Sequence, residues 1–281
     1  MDVVGSFVFV FVAGLITALA TGLGAIPFFF VDDVSDRVNV VLWGLASGIM
    51  VSASVFGLVL EGLAEADPWG SVLALGLPRW VALATPLVVG LLAGVLLVVV
   101  AHDVIEGYDV HPKQYAEADF RKLLLVLGVL TVHSFPEGVA VGVSFAELNL
   151  EGGVTILGFA VPLLAVFMTV AISIHNVPEG LAISIPLQSM GVSRPKMVWW
   201  AVFSSLPQPI GAVLAFAFVR VARDFLPVGF GFAAGAMVYL VLTEFIPEAL
   251  ELGAGLPGHG YRELVGGVVT GVFVMVPLVL V

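Results

Sequence analysis

Eight long apolar stretches leave this chain almost no choice of solvent. They run over about 5–30, 39–61, 80–101, 121–145, 153–187, 197–219, 227–247 and 262–281. Their ends fall at polar or turn clusters such as Asp32-Asp33-Val34-Ser35-Asp36 and Glu65-Ala66-Asp67-Pro68. Only 11% of the residues are charged, where a soluble domain carries about 25%. A bilayer core about 30 Å thick needs roughly 20 helical residues to cross it. Water is absent at that depth, so backbone polar groups must pair within a helix or a closed barrel. The apolar runs do not alternate with polar residues, which favours helices over a barrel. The expected fold is an all-α integral membrane protein, with residues 1–281 forming a single polytopic domain of eight transmembrane helices. Val3 to Phe30 is long enough to span and has no basic region before it, so it reads as the first helix rather than a cleaved leader.

Orientation follows from the basic residues of the loops. With the N-terminus outside, the inner loops hold Arg37, Lys113, Arg121, Lys122, Arg194, Lys196 and Arg262, and the outer loops hold Arg79, Arg220 and Arg223. Both termini are therefore expected outside, in a multi-pass protein of the cell membrane. The formal net charge of −11 and the lack of a basic patch exclude nucleic acid as a partner. The chain has no cysteine, so disulfides and thiolate metal sites are excluded. The connection 102–120 carries His102, Asp103, Glu106, Asp109, His111, Glu117 and Asp119. It reads as a solvated polar linker, since two histidines are too few to define a site.

Two hexapeptides inside the apolar stretches nearly repeat one another. They are His133-Ser134-Phe135-Pro136-Glu137-Gly138 and His175-Asn176-Val177-Pro178-Glu179-Gly180. An ionisable group at membrane depth is expensive and marks a site more often than decoration. Residues four apart share one face of a helix, so each His lies beside its own Glu. Two such helices facing each other would converge His133, Glu137, His175 and Glu179. Neutral imidazoles with two carboxylates carry −2, which matches one divalent cation. Imidazole and carboxylate suit first-row transition metals. A helix-interior proline frees the carbonyl four residues earlier, here those of Val132 and Ile174. Gly138 and Gly180 weaken the helix just beyond, so each motif reads as a softened kink. The bland alternative is an interhelical His–Glu hydrogen bond that only holds the bundle together. The match of Pro and Gly in both copies speaks against it. Ser134 and Asn176 occupy the same place in each motif.

The doubled motif, on the fourth and fifth of eight spans, resembles the ZIP (Zrt/Irt-like) family of metal-ion transporters in its prokaryotic branch. The likeness extends to Gly48–Ser54, Ser204–Ala212 and Tyr239–Glu248. The resemblance implies a metal site between helices 4 and 5, with two adjacent positions. The first would use His133, Glu137, His175 and Glu179, with the Met50 thioether. The second would use Ser134, Asn176 and Gln208, sharing Glu137 and Glu179. Relatives often carry carboxylates where this chain has Asn176 and Gln208. Two divalent ions would bring +4 against −2, so the second is expected to bind weakly. The family also implies alternating access of one helix bundle against another.

The expected function is transport of divalent transition-metal ions into the cytoplasm. Zn²⁺ comes first, and Cd²⁺, Fe²⁺, Mn²⁺ and Co²⁺ suit the same donors. The ion is cargo, and no cofactor is expected. The partners are then metal ions and the lipid bilayer, and a homodimer is compatible with this reading. No G-x-x-x-x-G-K-[S/T] loop occurs, so this chain does not drive transport with ATP. A membrane-embedded zinc-dependent hydrolase is the alternative. It would need an open metal position, a water and a general base, and the H-E-x-x-H helix of metalloproteases is absent. A proton path through His and Glu would not require the duplicated prolines. Glu244 and Glu248 could guide a departing ion or simply sit in interfacial water, and Trp199 and Trp200 are expected at a membrane interface.

Overall fold

The computed structural model describes residues 3–31, 34–66, 78–106, 128, 133–150 and 153–276. Helix α1 (Val3–Thr21) tightens into a 3-10 segment over Gly22–Phe29. Helix α2 (Asp36–Ser52) passes through a π-helical stretch, Ala53–Val59, into α3 (Leu60–Ala64). Next come α4 (Arg79–Glu106), α5 (133–144) and α6 (Leu163–Ser189). Helices α7 (Arg194–Ser204) and α8 (Pro207–Val221) follow as two pieces of one span. Helix α9 (Leu226–Leu240) continues through a π turn, Val241–Phe245, into α10 (Ile246–Gly253). The last helix is α11 (Tyr261–Val274).

Among the described residues, six helices are long and apolar enough to cross a membrane: Val3–Phe29, Asp36–Ala64, Leu83–Val104, Leu163–Gln188, Arg194–Val221 and Arg223–Gly253. The expected fourth span, 121–145, is described at 128 and from 133 onward, and the eighth up to residue 276. Side chains such as Val8, Ile16, Leu92, Leu96 and Leu214 stand exposed on the outer faces of these helices. That is where a bilayer, rather than water, makes apolar exposure favourable.

Two expectations need correction. The stretch 153–161, read as the start of the fifth span, is a two-stranded antiparallel hairpin. Strand β1 (Val154–Ile156) pairs with β2 (Phe159–Val161), Thr155 opposite Ala160. Leu157 and Gly158 turn it with positive φ values of 49° and 84°, as a two-residue hairpin turn requires. Pro162 then caps α6 from outside, and the helix begins at Leu163. The second correction is at His102, Asp103 and Glu106, which belong to α4 and not to a linker. The rest of that connection, 107–120, lies outside the described residues.

Glycine decides how the helices pack. Helix α2 lies along α11, and α4 along α9, as the two most extensive helix pairings among the described residues. Each helix contributes a Gly-x-x-x-Gly step: Gly44 and Gly48 against Gly267 and Gly271, and Gly90 and Gly94 against Gly231 and Gly235. A Cβ at Gly44 would strike the carbonyl oxygen of Leu264, and one at Gly94 that of Phe232. Lipid supplies no hydrophobic drive between helices, so close backbone approach of this kind holds them. Helix α1 packs on α6 and α8. Polar side chains on the spans mostly satisfy themselves on their own helix: Ser47 donates to Trp43 O, Thr169 to Ala165 O and Ser184 to Gly180 O.

Candidate metal centre

Helix α6 runs without a break through Pro178, and His175 and Glu179 face the same way one turn apart. Glu137 reaches them from α5. His175 Nε2 lies 3.2 Å from Glu137 Oε1 and 3.2 Å from Glu179 Oε1. One donor atom from each of the three residues falls within 4.8 Å of the other two. All three side chains are buried, none more than 1% exposed. Two carboxylates and one imidazole thus share a small, buried space. Two buried like charges are costly unless something positive joins them, and a divalent cation does so while using every donor.

The two amides serve one carboxylate. Gln208 Nε2 donates to Glu137 Oε2 at 2.6 Å. Asn176 Nδ2 donates to Gln208 Oε1 at 3.0 Å and to the Thr17 carbonyl at 2.7 Å. This chain of hydrogen bonds ties α1, α6 and α8 to the Glu137 carboxylate and fixes where its oxygens point. Asn176 Oδ1 has no partner among the described residues. The expected donors Asn176 and Gln208 therefore border the cluster, with their NH₂ groups already committed to other acceptors.

Glycine again makes the approach possible. A Cβ on Gly138 would meet the backbone of Gln208, and a Cβ on Gly180 the carbonyl of Thr21. The motif glycines were expected to weaken their helices. They instead lie inside continuous helix and let α8 and α1 come close enough for Gln208 to reach Glu137 and for Asn176 to reach the Thr17 carbonyl.

His133 is buried but stands outside the cluster of three. Its Nδ1 has no partner among the described residues, and its ring centroid lies 6.1 Å from that of His102. Ser134 and Met50 are buried as well. Glu244 pairs with His102, Nε2 to Oε1 3.1 Å, a contact that sequence reasoning missed because His102 was assigned to a loop. It also missed the Thr17 carbonyl, which has no side-chain signal, and Phe245. The Phe245 ring stacks on His175 with centroids 5.2 Å apart.

The family model described as ZIP Zinc transporter matches residues 101–278. The chain belongs to this family. It is a multi-pass membrane protein, as the six apolar helices require. A putative zinc transporter of Arabidopsis thaliana is 41% identical over 84% of this chain, which spans about a third (34%) of that protein's length. The zinc transporter GufA of Myxococcus xanthus is 30% identical, with 85% of this chain covering 87% of it. The zinc transporter ZIPB of Bordetella bronchiseptica is 33% identical, covering 82% of this chain and 69% of its own. All three are named as transporters, not as enzymes.

Proposed function

We propose that this ZIP family protein carries divalent transition-metal ions, Zn²⁺ foremost, into the cytoplasm through the Glu137–His175–Glu179 cluster. The observation that carries the reading is the convergence of these three buried donor groups from two helices. The names of its relatives support the same cargo. The full proposed architecture is eight spans with both termini outside. The ligand set is completed by His133 and the Met50 thioether. Passage is favoured over hydrolysis, because both carboxylates of the cluster face the same imidazole and neither stands apart as a general base.

The second metal position is proposed to hold its ion weakly. Ser134, Asn176 and Gln208 bring no charge of their own. Asn176 donates to the Thr17 carbonyl and to Gln208 Oε1, and Gln208 donates to Glu137 Oε2, so both amides are engaged in holding the frame of the site. One tightly bound ion per chain is the expected stoichiometry.

The test is uptake of Zn²⁺ by liposomes that contain the pure protein, compared with Glu137→Ala. Uptake by the unmodified chain and none by the variant is expected. No protein-dependent uptake, or equal uptake by both, would overturn the proposal.

A further inference from the structure

A histidine that binds metal through one ring nitrogen is normally held in plane by a hydrogen bond from the other. Among the described residues, His175 lacks that support. Its Nε2 faces the two carboxylates, and its buried Nδ1 has no partner among the described residues. Something else must fix the ring. The Phe245 ring lies nearly parallel to it, with centroids 5.2 Å apart and an interplanar angle of 18°. Phe245 is itself almost fully buried, and Trp43 of α2 packs on it with centroids 4.9 Å apart. Three rings from three elements thus run in series from α2 to the metal-facing imidazole.

The backbone at Phe245 is unusual in a way that serves this contact. Phe245 ends the π turn Val241–Phe245. A π turn inserts one extra residue, and such insertions cluster at functional sites. In an unbroken α-helix one residue fewer would swing the Phe245 side chain by about 100° around the axis. Pro247 follows two residues later and offers no N–H to the carbonyl of Thr243, which loosens the helix at this point.

We propose that Phe245 is the positioning residue for His175: its stacked ring holds the imidazole plane so that Nε2 stays aimed between Glu137 and Glu179. This rests on the metal-transport reading above and adds a specific role to a residue that touches no ion. Aromatic stacking is sufficient for the task, since the imidazole is already confined by burial and needs only its rotation fixed.

The test is a double-mutant cycle read by calorimetric titration of Zn²⁺ into purified protein in detergent. Phe245→Leu keeps apolar volume and removes the flat face, and Phe245→Met fills the space with a flexible chain. Each should weaken binding about tenfold, the lower end of the losses seen when support around a metal ligand is removed. Phe245→Tyr restores a ring and should recover the affinity. In a His175→Ala background, Phe245→Leu should have no further effect. The d–d absorption of bound Co²⁺ should change in Phe245→Leu and return in Phe245→Tyr. If His175→Ala weakens Zn²⁺ but neither Phe245→Leu nor Phe245→Met does, the proposal fails alone. Full additivity of the two losses also overturns it. If His175→Ala leaves affinity unchanged, the metal-site reading falls and this proposal falls with it.

Discussion

Replacing Gln208 by glutamate tests the charge argument with little change in shape. In the structure Gln208 Oε1 accepts from Asn176, and Nε2 donates to Glu137 Oε2 at 2.6 Å. Gln208→Glu keeps the first bond and turns the second into two carboxylate oxygens facing each other. At that separation and an effective dielectric constant of 20, the repulsion is about 6 kcal/mol. The lost hydrogen bond to a charged group adds roughly 2 kcal/mol. A second cation beside the new carboxylate relieves part of this. Relief of only about 3 kcal/mol makes its binding roughly 100-fold tighter. The alternative relief is a proton shared by the two carboxylates, which a metal ion must displace. The assay is calorimetric titration of Zn²⁺ at fixed pH in two buffers of different ionisation enthalpy, which separates ion binding from proton release. A second ion held far more tightly than in the unmodified protein is the predicted result, with slower release in transport. An unchanged second affinity with no proton release would refute the charge count. Asn176→Asp is a poorer probe, because it also strips the donor from the Thr17 carbonyl.

Further outcomes follow from the same geometry. His175→Ala should weaken Zn²⁺ and Cd²⁺ binding more than Mn²⁺ binding, and more than His133→Ala does, because His133 stands outside the cluster. Equal losses for all metals in a competition titration would make His175 structural. Gly180→Val should lower the thermal unfolding midpoint in detergent, since its Cβ meets the Thr21 carbonyl; an unchanged midpoint would mean α1 is free to shift. Uptake should fall as pH drops from about 7 to about 5, because protons compete for ligands that bind metal only when deprotonated. A rate that rises through that range in liposomes would argue that protons drive the passage.

The three residues of the candidate cluster all come from the repeated hexapeptides. The four-residue spacing foretold the contact of His175 with Glu179, and the repetition brought Glu137 to the same place. The same spacing did not bring His133 into the cluster, since position on a helix face does not set distance across a bundle. The hairpin at 154–161 was misread because a short, mostly apolar run between Gly153 and Pro162 fits strand and helix alike, and periodicity does not separate them. His102 was taken for loop on its polarity, yet it lies in α4, half-buried, and pairs with Glu244. Phe245 gave no signal, because the π turn that aims it leaves no mark in the hydrophobic pattern. The motif glycines were read through helix propensity, whereas close approach of neighbouring backbones governs them.

The most direct test of the central claim is where a zinc ion sits. A structure of the zinc-loaded protein with anomalous scattering recorded at the zinc edge locates it without assumption. The account predicts one strong peak roughly 2.0–2.2 Å from His175 Nε2 and from carboxylate oxygens of Glu137 and Glu179. A strong peak elsewhere, such as between His102 and Glu244, with these three side chains free of metal, would contradict it.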